Sequence, residues 1–247
     1  FQVVGNGVLD NPAGLGLNFR FGPLKEGETA RAGTATFILP GDLDMPSYQL
    51  DAAPTLYPGQ LLTCRLATAS ENLAAHWFNL YLRYYNEKDQ TQQCSGPKVL
   101  LTPGESRELT WTVPDLNGGP IYEIGIEAGA AAAPLEGKAQ VAIDCLDWTG
   151  CPQVKLRRPD YPAGDARPEL WRRSWVCAVD HWENRFHHAF RIIQNRGRGM
   201  LITGTREWRN YQIRSRITSA LFHSGGIAAC VQGLERFYAL ELVHPGR

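Results

Sequence analysis

The most regular segment of this 247-residue chain reads His76-Trp77-Phe78-Asn79-Leu80-Tyr81-Leu82-Arg83-Tyr84-Tyr85. Successive side chains of a β-strand point to opposite faces of its sheet. One face of a strand at 76–85 would therefore carry the apolar row Phe78, Leu80, Leu82 and Tyr84. The opposite face would carry a mixed aromatic and polar row, Trp77, Asn79, Tyr81, Arg83 and Tyr85. The segment predicts a strand with a core face and a second face of unusual composition.

The rest of the chain has the same character as this strand. Its 25 glycines and 16 prolines interrupt the sequence every eight to twelve residues, which is typical of a sandwich or barrel. Long helical patterns are nearly absent, and about eight strands are predicted in the first 150 residues. The sequence therefore predicts an all-β protein.

A proline-rich segment separates two apolar regions. Residues 159–169 contain Pro159, Pro162 and Pro168, a composition that marks a linker. We expect a complete jelly-roll sandwich at 1–158 and the N-terminal part of a second sandwich at 170–247. The second region ends in an alternating segment at 208–217 and two short strands within 225–243, joined by a tight turn.

These last strands would leave an open core and unpaired edges, because His244–Arg247 is too short to supply further strands. We therefore expect the remainder of the polypeptide, or a partner chain, to complete the second sandwich and cover that edge.

The charge distribution narrows the range of partners. The net charge is zero, which argues against nucleic-acid binding. Residues 1–158 hold 12 Lys and Arg against 17 Asp and Glu, a net charge of −5, whereas residues 159–247 hold 13 against 8, a net charge of +5. Either two oppositely charged domains dock on each other, or the basic region offers a cationic groove to an acidic ligand.

Composition leaves the cellular location open. The sequence has no apolar run long enough for a membrane span, and both a bacterial cytoplasmic and a secreted location fit it.

The spacing of the six cysteines does not match a zinc site. We therefore expect mostly free, buried thiols, with Cys145–Cys151 as the pair for a disulfide if the protein is secreted.

The first region resembles the galactose-binding-like jelly roll used by many carbohydrate-binding modules. The motifs that carry this resemblance are Pro54–Gln60, Leu109–Asp115 with Gly118–Ile121, and Val141–Gly150. The second region resembles a concanavalin/laminin-G-like sandwich, on the motifs Trp208-x-x-Tyr211, Gly226–Gly233 and Phe237–Leu242. Together the pair is similar to the β-sandwich region attached to bacterial ADP-ribosylglycohydrolase-like proteins. The resemblance implies an accessory role beside a catalytic domain that lies outside this chain.

The mixed face of the 76–85 strand is the strongest candidate for a binding site. Sugars stack their apolar C–H faces on Trp and Tyr, while Arg and Asn supply oriented hydrogen bonds. Trp77, Tyr81 and Arg83 are the expected sugar contacts, with Asn79 and Tyr85 beside them. The alternative is that this face packs under the neighbouring domain.

Two further clusters have weaker patterns. Asp144 and Asp147 flank a strand end and could join Asp10 in a structural Ca²⁺ site, or they could simply cap turns. The polar cluster 180–188 offers Asp180 and Glu183 as an acid–base pair for a glycosidic-bond hydrolase. Its aromatic residues fit a loop that covers the sandwich equally well.

The sequence thus predicts non-catalytic, carbohydrate-binding accessory sandwiches of a larger carbohydrate-active or ADP-ribosylglycohydrolase-like protein. Two alternatives stay open: a glycoside hydrolase with its site near 180–188, and a structural module that makes subunit contacts.

Overall fold

The computed structural model describes residues 2–4, 7–10, 17–33, 53–131, 137–152, 157–162, 164–165, 167–183, 185–218 and 222–244, the first two ranges for the backbone alone. The N-terminal part of these residues contains the strands β1 (Gln2–Val4), β2 (Gly7–Asp10), β3 (Leu17–Phe21), β4 (Thr29–Gly33), β5 (Leu61–Thr68), β6 (His76–Tyr85), β7 (Thr91–Ser95), β8 (Val99–Leu101), β9 (Ser106–Thr112), β10 (Ile121–Ala130) and β11 (Ala139–Thr149).

These strands form two antiparallel sheets. The front sheet has the order β1-β4-β10-β6-β7, and β8 pairs with the first residues of β6. The back sheet has the order β2-β3-β11-β5-β9. Some pairings join strands far apart in the sequence, such as β10 with β4 and β11 with β3, whereas β2 with β3 and β6 with β7 are neighbours along the chain.

The core lies between the two sheets. It is built from inward-facing rows of both, among them Phe19, Leu66, Phe78, Ile126 and Val141. All five side chains are fully buried. This arrangement confirms the predicted all-β fold and the sandwich formed by the first region.

Strand β6 confirms the prediction made from its alternation. Its bounds are His76 and Tyr85, as the pattern predicts. Phe78, Leu80 and Leu82 are buried in the core, and Tyr84 packs against it. The described residues contain more strands than the predicted eight, because β1, β2, β4 and β7, which the pattern does not predict, span only three to five residues each. A periodicity of two cannot be recognised over so few positions.

The C-terminal part contains a 3-10 helix at Leu170–Ser174 and three two-stranded ribbons. The ribbons pair β12 (Val176–Ala178) with β15 (Met200–Ile202), β13 (His181–Glu183) with β14 (Arg191–Ile193), and β16 (Ser224–Ala229) with β17 (Tyr238–Val243). No helix within the described ranges is long and apolar enough to cross a membrane.

The last ribbon confirms the two strands predicted within 225–243, but residues 230–237 connect them, so the turn is wider than predicted. The alternating segment 208–217 is not assigned to any sheet in the described part of the chain. Its apolar residues Tyr211, Ile213 and Ile217 are exposed rather than inward-facing. A β-strand needs a hydrogen-bonded neighbour, and an alternating sequence pattern alone does not provide one.

The side chains of β17 are exposed along the whole strand, including Tyr238 and Leu240. The expectation that further polypeptide or a partner chain covers this edge stays a prediction, as does the division of the chain at 158 and 170.

Candidate functional site

The mixed face of β6 lies on the outer surface of the front sheet, directed away from the core. There β6 is paired with β10, and the register places Trp77 opposite Gly129, Asn79 opposite Glu127, Tyr81 opposite Gly125 and Arg83 opposite Glu123. We refer to these four cross-strand pairs as rungs. Along β10 the outer face therefore alternates carboxylates with glycines.

The two glycine rungs allow aromatic rings to lie against the backbone. A Cβ atom at Gly129 would be 1.9 Å from Cζ2 of Trp77, and one at Gly125 would be 2.8 Å from Cε1 of Tyr81. On the neighbouring strand β4, a Cβ atom at Gly33 would be 2.3 Å from the Tyr81 hydroxyl. The rings occupy the space that side chains on these strands would fill.

The rung of Asn79 is polar across three strands. The register aligns Arg31 of β4 with Glu127 of β10 and Asn79 of β6. Arg31 Nε lies 3.8 Å from Glu127 Oε1, and Asn79 Nδ2 donates to Glu127 Oε2 at 3.4 Å. Arg31 Nε and Asn79 Oδ1 are buried without a hydrogen-bond partner. A donor and an acceptor on one rung are thus left for another group to satisfy.

The rung of Arg83 centres on Glu123. The Tyr81 hydroxyl donates to Glu123 Oε1 at 2.7 Å, and Arg83 donates to Glu123 Oε2 at 3.3 Å. Burial raises the pKa of Tyr81, and the adjacent Glu123 carboxylate raises it further. Tyr81 therefore stays a hydroxyl donor, which fixes the carboxylate beneath Arg83.

A side-chain bridge crosses this face. Arg31 on β4 donates to Gln93 on β7 at 2.7 Å. Strands β10 and β6 lie between these two strands, so the bridge passes over both. Tyr81 and Asn79 point away from the core and are nevertheless fully buried.

Cations lie above carboxylates on the outer face. The side chains of Arg31 and Arg83 are 32% and 34% exposed, whereas those of Glu127 and Glu123 are 12% and 14% exposed. Trp77 is half-buried, and Lys98 Nζ lies 3.8 Å from the centroid of its ring. A ligand arriving from solvent would meet guanidinium groups, an ammonium group and an indole ring.

The C-terminal part closes one end of this face. Tyr85 stacks on Tyr122 with ring centroids 4.5 Å apart, and both are buried with Trp171 of the 3-10 helix. Tyr122 lies where a bulge interrupts the register of β6 and β10. We call the 3-10 helix and Tyr161, which pack over Tyr85 and Tyr122, the end wall.

Asp89 anchors the end wall to the loop after β6. Its carboxylate accepts the backbone N–H groups of Leu170 at 2.6 Å and Trp171 at 2.8 Å, and the hydroxyl of Tyr161. Burial raises the pKa of Asp89 despite these three donors. Asp89 adopts a left-handed backbone conformation with φ of 57°.

Glu169 fixes the start of the 3-10 helix. Its fully buried carboxylate pairs with Arg158 at 2.5 Å and with Arg172, and His187 Nδ1 lies 3.1 Å away. Burial raises the pKa of Glu169, but Arg158, His187 and Arg172 outweigh it, so the pKa lies below its usual value.

The predicted binding residues Trp77, Asn79, Tyr81, Arg83 and Tyr85 share one face, as the alternation requires. Tyr81, Asn79 and Tyr85 are buried, so Trp77 and Arg83 provide the accessible surface of this row. The end wall covers Tyr85, so at this residue the face is packed under the C-terminal part of the chain, which is the alternative raised from the sequence. Sequence reasoning missed Arg31, Glu123 and Glu127. The alternation Glu123, Gly125, Glu127, Gly129 is the signal that could have identified the two carboxylates.

The carboxylates proposed for Ca²⁺ face guanidinium groups. Asp144 pairs with Arg65 at 3.0 Å, and Asp147 lies 3.8 Å from Arg206. The side chain of Asp10 lies outside the described residues. Within the described part of the chain, no three His, Cys, Asp or Glu side chains are grouped as metal ligands.

The carboxylates of the 180–188 cluster cap the backbone. Asp180 accepts the N–H of Asn195 at 2.7 Å, and Glu183 accepts that of Arg185 at 3.0 Å. This hydrogen bond, together with nearby His181, lowers the pKa of Glu183. A general acid needs the opposite shift.

No protein-family model matches the sequence, and no curated protein matches it. Similar solved structures include one on the promiscuous specificity of carbohydrate-binding modules from the β-sandwich superfamily, with 17% identity over 61% of this chain and 55% of that chain and a TM-score of 0.38. Another is the Clostridium thermocellum endo-1,4-β-D-xylanase 10B (CBM22-1–GH10 modules) with xylohexaose, with 11% identity over 63% of this chain and 27% of that chain and a TM-score of 0.38.

A third is the CBM22-2 xylan-binding domain of Paenibacillus barcinonensis Xyn10C, with 14% identity over 61% of this chain and 91% of that chain and a TM-score of 0.37. The matched region spans about half of the first of these three chains and about a quarter of the second. A function for this chain has to come from the side chains of its own site.

Proposed function

We propose that this chain binds glycans on the outer face of the front sheet. The observation that supports the proposal is the alternation of rungs, in which aromatic rings lie on glycines and guanidinium–carboxylate pairs lie between them. A sugar presents both kinds of surface, because its C–H faces are apolar and its hydroxyls are polar.

In this proposal Trp77 provides the stacking surface. Lys98 now lies over the indole ring. Its flexible side chain is replaced there by a sugar ring, at a cost of about 0.5–1 kcal/mol for an exposed cation–π contact. The freed ammonium group can then donate to sugar hydroxyls.

The polar rungs orient the sugar. Arg31 and Arg83 are held by buried carboxylates, so their exposed N–H groups are preorganised as donors. A hydroxyl between Arg31 Nε and Asn79 Oδ1 would accept from the first and donate to the second. Both atoms are buried and unpaired, and satisfying them recovers free energy. Opening of the Arg31–Gln93 bridge gives access to this position.

Titration calorimetry of the full chain tests the proposal, with xylohexaose and a panel of cello-, galacto- and manno-oligosaccharides as probes. Trp77→Ala is expected to weaken binding at least tenfold, since it removes the stacking surface. Tyr238→Ala is the matched control, because it removes an exposed aromatic ring from β17. Equal affinities for wild type and Trp77→Ala would contradict the proposed site.

We also propose that the chain acts as an accessory module of a larger carbohydrate-active or ADP-ribosylglycohydrolase-like protein. The capping roles of Asp180 and Glu183 support a non-catalytic role for the 180–188 cluster. Assays with aryl glycosides and ADP-ribosylated substrates test this role. Turnover by wild type that is lost in Glu183→Gln would overturn it.

A further inference from the structure

Two arginines lie at the end of the outer face nearest the end wall. Arg83 Cζ lies 5.5 Å from the centroid of the Tyr122 ring. Arg173 belongs to the 3-10 helix, whose Trp171 is buried against Tyr85 and Tyr122. Burial raises the pKa of Tyr85, and the nearby Arg173 guanidinium acts in the opposite direction. Tyr85 and Tyr122 are stacked on each other, so both arginines lie beside one aromatic pair.

The carboxylates nearby do not balance these charges. Arg83 shares Glu123 with the Tyr81 hydroxyl. Arg173 has no ion pair with a carboxylate among the described residues. Asp89 is buried and accepts three hydrogen bonds from the end wall. An approaching anion would therefore meet an unneutralised guanidinium group.

The whole outer face has the same imbalance. Within the described residues of the strand face, two carboxylates, Glu123 and Glu127, lie among three basic side chains, Arg31, Arg83 and Lys98. The carboxylates are also the more deeply buried groups, as their exposures show. The basic groups thus lie nearer to solvent than the carboxylates on this face, an arrangement that favours an acidic ligand.

We propose that the glycan bound on this face carries an acidic group, a carboxylate or a sulfate, and that Arg173 and Arg83 bind that group beside Tyr122. This inference rests on the proposed glycan-binding function. Arginine suits the role because its planar fork of donors matches two oxygens of an anion at once. The C-terminal part then supplies a specificity residue to a site formed by the front sheet.

The test compares polymers that differ only in charge. Glucuronoxylan is titrated beside the same polymer after its carboxyl groups have been reduced to alcohols, and κ-carrageenan beside its desulfated form. Wild type is expected to bind at least one acidic polymer about tenfold more tightly than its neutral counterpart. Which pair shows the difference identifies the acidic group as carboxylate or sulfate.

Variants assign the preference to Arg173. Arg173→Gln removes the charge and keeps a hydrogen-bond donor at this position. It should lower binding of the preferred acidic polymer about tenfold and leave binding of the neutral polymer unchanged. Arg209→Gln removes the same charge from an exposed residue of the 208–217 segment and should change the binding of neither polymer. Should Arg173→Gln fail to fold, wild type still tests the acidic preference. Added NaCl should weaken its binding to the acidic polymer and leave its binding to the neutral polymer unchanged.

The outcomes separate the inference from the function on which it rests. Equal binding of acidic and neutral polymers would overturn the acidic preference and leave glycan binding intact. An equal loss for both polymers in Arg173→Gln would overturn the role of Arg173. Failure of every polymer and oligosaccharide to bind would overturn the proposed function itself.

Discussion

The indole ring of Trp77 lies against the backbone of Gly129, its cross-strand partner on β10. We expect Gly129→Ala to displace the ring, because the new methyl group would be 1.9 Å from Cζ2 of Trp77. Overpacking of this kind costs about 1–3 kcal/mol. Glycan affinity should fall at least tenfold while the sandwich stays folded, which calorimetry and circular dichroism together would show.

The control for this variant is Gly225→Ala on β16. A Cβ atom there would meet its nearest neighbour, Phe222, at 3.5 Å, an ordinary contact. If both alanine variants bound glycans like wild type, the position of the Trp77 ring would have no bearing on binding.

The sequence predicts the strand of Trp77 correctly because β6 alternates over ten residues, with the apolar row Phe78, Leu80 and Leu82 on one face. It cannot predict that Tyr81 is buried on the opposite face. That burial depends on Gly33 and Gly125, which are distant in the chain. It also depends on a bridge from Arg31 to Gln93 across two intervening strands. Local periodicity carries no information about such partners.

The same limit applies to the end wall and to the segment 208–217. Trp171 is recognisable as an apolar residue after a linker, but nothing near it in sequence indicates packing on Tyr85 and Tyr122. The segment 208–217 alternates as a strand should, yet it has no ladder in the described part of the chain. A strand is defined by its neighbour, and a single segment cannot specify one.

The hydroxyl of Tyr81 is predicted to stabilise the front sheet through Glu123. Tyr81→Phe removes the 2.7 Å hydrogen bond and leaves a largely buried carboxylate with Arg83 alone. The free energy of unfolding should fall by about 1–3 kcal/mol in urea titrations. Tyr84→Phe on the same strand is the control, because the Tyr84 hydroxyl has no hydrogen bond to any described residue. Equal stability of the two variants would argue against this role.

Asp89 is predicted to hold the end wall in place. Asp89→Ala removes the acceptor of two backbone N–H groups and of the Tyr161 hydroxyl. It also places alanine at a φ of 57°, a conformation that alanine disfavours. We expect a loss of about 3–5 kcal/mol and faster hydrogen exchange at Leu170 and Trp171.

Asp89→Asn is the milder companion to this variant, since asparagine tolerates the left-handed conformation and keeps one acceptor oxygen. Its amides at Leu170 and Trp171 should exchange at rates between those of wild type and Asp89→Ala. Exchange rates unaffected in the alanine variant would show that the wall is held by other contacts.

Because of Glu169, the stability of the C-terminal part is predicted to fall at acidic pH. Its folded-state pKa lies below the usual 4.5 because Arg158, His187 and Arg172 outweigh the effect of burial. The charged form thus stabilises the fold above pH 4.5, and this stabilisation is lost as the pH falls towards the lower folded-state pKa. Thermal melts between about pH 6 and 3 should show a steeper decline for wild type than for Glu169→Gln.

Glu169→Gln should also be destabilised near neutral pH, by about 3–5 kcal/mol, because Arg172 would be buried without a counter-charge. Arg198 and Glu235 form an ion pair in which both side chains are exposed. Glu235→Gln therefore controls for the loss of one carboxylate at the surface. Parallel acid profiles for wild type and Glu169→Gln would refute the prediction.

Cys64, Cys151 and Cys230 are free thiols in the structure, and they are predicted to differ widely in reactivity. Burial, and then nearby Cys145, raise the pKa of Cys64 from 9.0 to about 12. Since the thiolate is the reactive form, its fraction at pH 8 is about a thousandfold lower for Cys64 than for a thiol of ordinary pKa. Cys151 and Cys230 are exposed.

Iodoacetamide should label Cys151 and Cys230 within minutes, and Cys64 only after unfolding, as detected by peptide mass spectrometry. Labelling of Cys64 at the rate of Cys151 in the folded protein would mean that the back sheet opens readily, since Cys64 is fully buried on β5, which is paired with β11 and β9.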